Sequence, residues 1–293
     1  MAILPQRHPS LNHARIAPPT RIHSSATAPP RPRRPNPSPI TLDPAPAPRP
    51  PLPNDPTLRS NWSHRTWLAS GCTTVLISLS KSIEAAAASH TYLEPILAAL
   101  LGYVLADLGS GVYHWGIDNY GGAETPVFGA QIDAFQGHHR WPWTITRRQS
   151  ANNLHALARA VAFTVTPINI ICGDATALAF VAACSGFIMF SQQSHAWAHM
   201  TKSKLPPVVA ALQDAGVLVS RTQHAAHHRA PYNNNYCIVS GVWNEVLDGS
   251  KFFEIMEMVI FFRFGVRPRS WAEPNAGWTE EDEDEPEATS LLS

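Results

Sequence analysis

Apolar residues gather into four long stretches, at about 66–88, 91–113, 156–172 and 175–194, separated by polar segments. A helix needs roughly 20 mainly apolar residues to cross a bilayer. The second and fourth stretches meet this, while the first is diluted by Lys81, Ser82 and Glu84 and the third contains Pro167. The pattern predicts an all-α integral membrane protein with about four transmembrane helices; core helices of a soluble protein are the competing reading. Two later stretches, at about 206–219 and 251–264, are amphipathic and too short to span, and are expected to be interfacial helices.

Charge placement supports the spans. Arg59 and Arg65 precede the first stretch, Arg140, Arg147, Arg148 and Arg159 lie around the connection of the second to the third, and Lys202, Lys204, Arg221 and Arg229 follow the fourth. With alternating loops, all of these fall on one side, the asymmetry of the positive-inside rule. The opposite connectors carry only Lys81, Glu84, Glu94 and Asp174.

The ends have a different character. Residues 1–56 hold seventeen prolines, and residues 1–50 hold seven arginines against a single acid, Asp43. Such a segment buries too little apolar surface to offset its ordering entropy. It is expected to be a disordered transit peptide and proline-rich linker, plastid rather than mitochondrial because it shows no amphipathic arginine period. The membrane domain then spans 57–272, and 273–293 form an acidic tail expected to be disordered. The net charge of zero is thus a basic head plus an acidic tail. It offers no basic face for nucleic acid. The four cysteines, Cys72, Cys172, Cys184 and Cys237, form neither a C-x-x-C pair nor a disulfide framework.

Histidine carries the chemistry. Nine of the fourteen lie between residues 114 and 228, each at or near a segment boundary on the positive side: His114, His138, His139, His155, His195, His199, His224, His227 and His228. His195-Ala-Trp-Ala-His199 sets two imidazoles on one helix face. His224-Ala-Ala-His227-His228 brings at least two more together. Gln136-Gly-His138-His139 sits in the loop between the second and third stretches, His155 opens the third, and His114 ends the second with Asp118 one turn on. Asp118 reads as an acceptor behind a ligand or a helix-end charge. Nine histidines exceed a two-His-one-carboxylate iron site or a four-ligand structural zinc. They suit two metals, and redox-active iron supplies oxygen chemistry that zinc does not.

These motifs, with Arg229-Ala-Pro-Tyr-Asn-Asn-Asn-Tyr-Cys237 and Gly265-Val-Arg-Pro-Arg-Ser-Trp271, resemble the plant chloroplast fatty acid desaturase 4 group; the animal plasmanylethanolamine desaturases (Kua) are similar. The resemblance covers about residues 57–275. It implies a di-iron, O2-dependent acyl-lipid desaturase of the thylakoid or inner envelope membrane, with the iron site at the stromal face. It implies a trans-Δ3 double bond in sn-2 palmitate of phosphatidylglycerol. The box Gln136-Gly-His-His departs from the H-x-x-x-H of acyl-CoA desaturases, so ligand roles from that class do not transfer to His138 and His139. No flavin, haem or iron–sulfur motif is present in the sequence, so electrons must come from an external donor, ferredoxin in a plastid. Arg147, Arg148, Lys202 and Lys204 suit an anionic lipid head group. A hydroxylase or an ether-lipid desaturase on the same metal core is the nearest alternative. A non-catalytic metal-binding membrane protein is the alternative of another class.

Overall fold

The structure, a computed structural model, describes residues 55–271; the proline-rich head up to residue 54 and the tail from residue 272 lie outside the described residues. The described residues form α-helices and short 3-10 turns and contain no strand. In chain order the helices are α1 (Trp62–Ser89), α2 (Leu93–Asn119), α3 (Gly129–Arg140), α4 (Trp143–Arg147), α5 (Ser150–Ile171), α6 (Ala175–Ala198), α7 (Pro207–Asp214), α8 (Arg221–His227), α9 (Asn244–Gly249) and α10 (Phe252–Phe264).

Local chemistry sets the boundaries. The Asn61 side chain accepts from the His64 amide at 2.9 Å, and the His64 ring accepts from the Asn61 amide, closing a capping box before α1. Asp174 caps α6 through the Ala177 amide at 2.7 Å. The three-residue connectors His90–Tyr92 and Cys172–Asp174 turn α1 into α2 and α5 into α6 as antiparallel hairpins. α6 packs against α1, α2 and α5, and α1 packs along α5.

α2, α5 and α6 are long and apolar enough to cross a membrane. α1, with 28 residues, has the length but not the apolarity. Three of its polar residues face neighbouring helices, while Glu84 stays exposed. Ser78 donates to Asn169 at 2.7 Å, Ser82 donates to the Ala175 carbonyl at 2.6 Å, and Lys81 caps α5 by donating to the carbonyls of Cys172 and Asn169. The lysine and serines that dilute the first stretch therefore act between helices. Leu76, Ile83, Leu97, Leu101, Phe163 and Ile170 stay exposed, a band on α1, α2 and α5 that a soluble protein would not present to water.

The C-terminal ends of α2 and α6 meet α3, α4 and α8 at one end of the bundle. α10 also packs here, with Phe253 against Trp115, while Ile255, Met258, Val259 and Phe262 point outward, as expected of an interfacial helix. The other expected interfacial helix is shorter than its apolar pattern. α7 stops at Asp214, and Val209 packs with Leu205 and Leu218 from its flanking segments.

One buried carboxylate ties the C-terminal segment to α2. Asp107 is fully buried, and its Oδ1 accepts from the backbone N–H groups of Val239, Ser240 and Gly241 at 2.8–3.1 Å. Ser110 accepts from the Ile238 amide, and Asn244 pairs with both backbone groups of Cys237. A Cβ at Gly111 would collide with the Cys237 sulfur, so glycine there permits the approach. Replacing Asp107 by Asn removes the charge-assisted acceptor and sets an amide against donors. We expect a loss of about 3 kcal/mol, read as a lowered thermal midpoint in detergent micelles; an unchanged midpoint would show the segment is held by other contacts.

Candidate metal centre

Where the bundle ends, eight of the nine histidines converge into two groups of metal-ligating atoms. One contains His138, His195, His199, His224 and His228; the other contains His114, Asp118, His139 and His227. Helix periodicity does the sorting. His195 and His199 are one turn apart on α6 and its C-cap, and His224 and His228 are one turn apart on α8 and its C-cap, so each pair faces the first group. His227 lies roughly 100° round from His228 and faces the second. His138 and His139, adjacent in sequence, likewise part company. They sit in the last turn of α3, not in a loop as the sequence suggested, because the helix continues through Gly137.

The separations fit metal coordination. In the first group His138, His195 and His224 bring their Nε2 atoms within 2.9, 3.3 and 2.7 Å of His199 Nε2, and His224 and His228 are 3.1 Å apart. In the second, Asp118 Oδ2 lies 3.2, 3.3 and 3.4 Å from Nε2 of His114, His139 and His227. A metal–imidazole bond of about 2.1 Å puts neighbouring donors roughly 3.0 Å apart at right angles and 3.4 Å apart in a tetrahedron.

In the second group two tautomers fit as well. His114 Nδ1 donates to the Tyr236 carbonyl at 2.9 Å and His227 Nδ1 to the Asn234 carbonyl at 2.7 Å, leaving each Nε2 lone pair aimed into the group. His114 Nε2 and both Asp118 carboxylate oxygens are buried without a hydrogen-bond partner. Lone pairs and a carboxylate pointed at one another out of water repel unless a cation or a proton lies between them. The donor set thus suits two metal ions.

The chain belongs to the lipid desaturase family. The family model of the lipid desaturase domain matches residues 103–271. The chain is 66% identical over 222 residues to fatty acid desaturase 4, chloroplastic, of Arabidopsis thaliana, covering 76% of this chain and 69% of that one. It is 60% identical over 230 residues to fatty acid desaturase 4-like 1, chloroplastic, of the same plant, covering 78% of each. More distantly, it is 35% identical over 182 residues to the plasmanylethanolamine desaturase of Myxococcus xanthus, covering 59% and 62%. No solved structure matches it. As a lipid desaturase, the protein is an oxidoreductase acting on fatty acyl chains in membranes.

His155 stands outside both groups. Its ring stacks on His64 with centroids 4.1 Å apart, and its Nδ1 donates to the Asn152 carbonyl at 2.8 Å, because α5 begins at Ser150 and carries it along a different helix face. Asp118, which the sequence placed behind a ligand, has its carboxylate inside the second group. Sequence reasoning missed Asp107, although an acid inside an apolar stretch was a usable signal. It also missed Glu257 on α10. That buried carboxylate accepts from Trp115 Nε1 at 3.1 Å and Trp271 Nε1 at 2.8 Å, while Arg269 donates to the carbonyls of Asp118 and Gly121. The Gly265–Trp271 motif of this lipid desaturase thereby clamps the end of α2.

Burial first, and neighbouring imidazoles second, hold His138, His224 and His228 well below the ordinary imidazole range, and bring His199 down to about 3. The folded protein therefore presents neutral imidazoles, the form that binds metal. An unfolded chain takes protons near pH 6.5 that the folded site refuses, so stability falls as pH drops from about 6.5 toward 3. The metal-free protein is expected to melt at a lower temperature at pH 5.5 than at pH 7.5. Equal midpoints would show that these rings are not held neutral.

Proposed function

We propose that the protein is a di-iron, O2-dependent desaturase that introduces a trans double bond at the third carbon of palmitate esterified at sn-2 of phosphatidylglycerol, in a chloroplast membrane. The observation that carries the reading is the pair of adjoining donor groups, one of five imidazoles and one of three imidazoles with Asp118. Iron bound there supplies the oxidising chemistry: two hydrogens leave adjacent methylenes, and O2 becomes two waters with two further electrons and two protons. Imidazole-rich ligation suits iron. The electrons come from an external reductant, ferredoxin in a plastid.

The residues have distinct parts. His138, His195, His199, His224 and His228 hold one iron; His114, His139, His227 and Asp118 hold the other. The carbonyls of Tyr236 and Asn234 keep His114 and His227 in the ligating tautomer. The relatives named chloroplastic and the basic, proline-rich residues 1–56 support import into the chloroplast, with the membrane domain over 57–272 followed by the acidic tail. Among the cations suited to a lipid head group, Lys202 is engaged with Asp214 at 2.7 Å on the surface, whereas Arg148 is half-buried and lines a cavity together with His138 and His195.

A second reading has a specific basis. Relatives of this chain named plasmanylethanolamine desaturase favour an ether-lipid substrate on the same core. Lipid analysis after expression in a host supplying phosphatidylglycerol and ferredoxin separates the two. The expected product is phosphatidylglycerol with a trans-3 hexadecenoyl chain at sn-2. A new bond in an ether chain would replace that substrate, and no new double bond in protein carrying two irons per chain would overturn the desaturase reading. His199→Ala and His227→Ala are each expected to lower bound iron and abolish turnover; full iron and turnover in either would remove that residue from the ligand set.

A further inference from the structure

A cavity of about 320 Å³ lies between α3, α4, α5 and α6. His138 and His195 of the five-imidazole group form part of its wall, and Arg148, His155 and Arg159 form another part. None of the second group's ligands lines it, so this cavity serves the five-imidazole group alone.

The basic side is unbalanced. No carboxylate lines the cavity. Arg148 follows α4, is half-buried, and its Nε is buried without a hydrogen-bond partner. His155 is fixed by its stacking on His64 and by the Asn152 carbonyl. A guanidinium whose Nε is shut off from water and left without an acceptor favours an anion, and its planar fork matches phosphate oxygens.

The cavity has room for more than a single small ion.

We infer that Arg148, with His155 beside it, anchors the phosphate of an anionic glycerophospholipid inside this cavity, and that the anchor sets which acyl carbons reach His138 and His195. The position of the new double bond is then counted from the polar end of the lipid. This rests on the desaturase reading for its consequence but not for the binding itself.

Binding is tested on the iron-loaded, full-length protein in detergent micelles, titrated with dilauroyl-phosphatidylglycerol and, separately, with inorganic phosphate. Arg148→Gln is expected to weaken lipid binding by about tenfold to a hundredfold, with iron per chain unchanged, and Arg148→Lys to restore part of it. In turnover, Arg148→Gln is expected to raise KM more than it lowers kcat and to spread the double bond over neighbouring carbons. Unchanged lipid affinity in Arg148→Gln overturns the anchor. Inorganic phosphate binding as tightly as the lipid overturns the lipid assignment in favour of a free-anion site. Should Arg148→Gln fail to fold, His155→Gln carries the test, and wild-type affinity and regiochemistry in it overturn the proposal. A wild-type protein that binds the lipid through Arg148 yet, supplied with O2 and reduced ferredoxin, forms no double bond in it upholds the anchor and overturns phosphatidylglycerol as the substrate.

Discussion

Nine donor groups pointed at one another, seven of them in buried residues, form the constraint on which this structure depends. Eight imidazoles and the Asp118 carboxylate lie so close that neighbouring donor atoms sit 2.7–3.4 Å apart. Left to themselves, such groups would turn away or take up protons. Each is instead held by a helix end, a cap or a carbonyl behind it. Fixing so many side chains costs rotamer entropy and desolvation, and the fold meets that cost with contacts remote from the donors. The loop whose carbonyls orient His114 and His227 is held through the next segment along. Residues 238–241 are fastened to α2 by Asp107 and Ser110, and Asn244 closes the segment on itself by pairing with Cys237. Trp115, Glu257 and Arg269 fasten the far side of the same helix.

The bundle and the donor groups divide the chain by depth. α1 and α5 lie side by side with their polar residues turned inward, and their aliphatic side chains form the outer band. α2 belongs to both regions. Its first half contributes Leu97 and Leu101 to the band, and its last turns contribute His114 and Asp118 to the donors. A single continuous helix therefore fixes the height of the donors relative to the band, and Asp107 sits at the transition, where a carboxylate is stable only because backbone donors surround it.

The helices and eight of the nine grouped donors were legible in the sequence because they rest on local signals. Apolar runs of span length, the i and i+4 pairs His195/His199 and His224/His228, and the placement of histidines at segment ends all survive in the folded chain. The division into two groups was not legible. Whether His138 and His139 face the same way depends on whether residues 129–140 are loop or helix, and a polar connection between two apolar stretches reads as loop. His155 shows the opposite failure. Its sequence position matches the other histidines, but the earlier start of α5 turns it toward His64. Asp118 was underrated because ligand type alone does not reveal that three rings will converge on its oxygen.

The two groups are unequal in charge, and this bears on how they share the work. A divalent ion among five neutral imidazoles keeps its full charge, whereas one beside Asp118 has part of it offset by the carboxylate. The less compensated ion is the stronger attractor of electrons from whatever lies beside it. The cavity wall is formed by His138 and His195 of the five-imidazole group, not by the carboxylate group. An acyl chain in that cavity would therefore meet the more electron-poor centre, with the carboxylate-bearing centre behind it against α2 and the Tyr236 carbonyl. On the proposed reading, the cavity would bring an acyl chain to the five-imidazole group and leave the carboxylate-bearing group behind it.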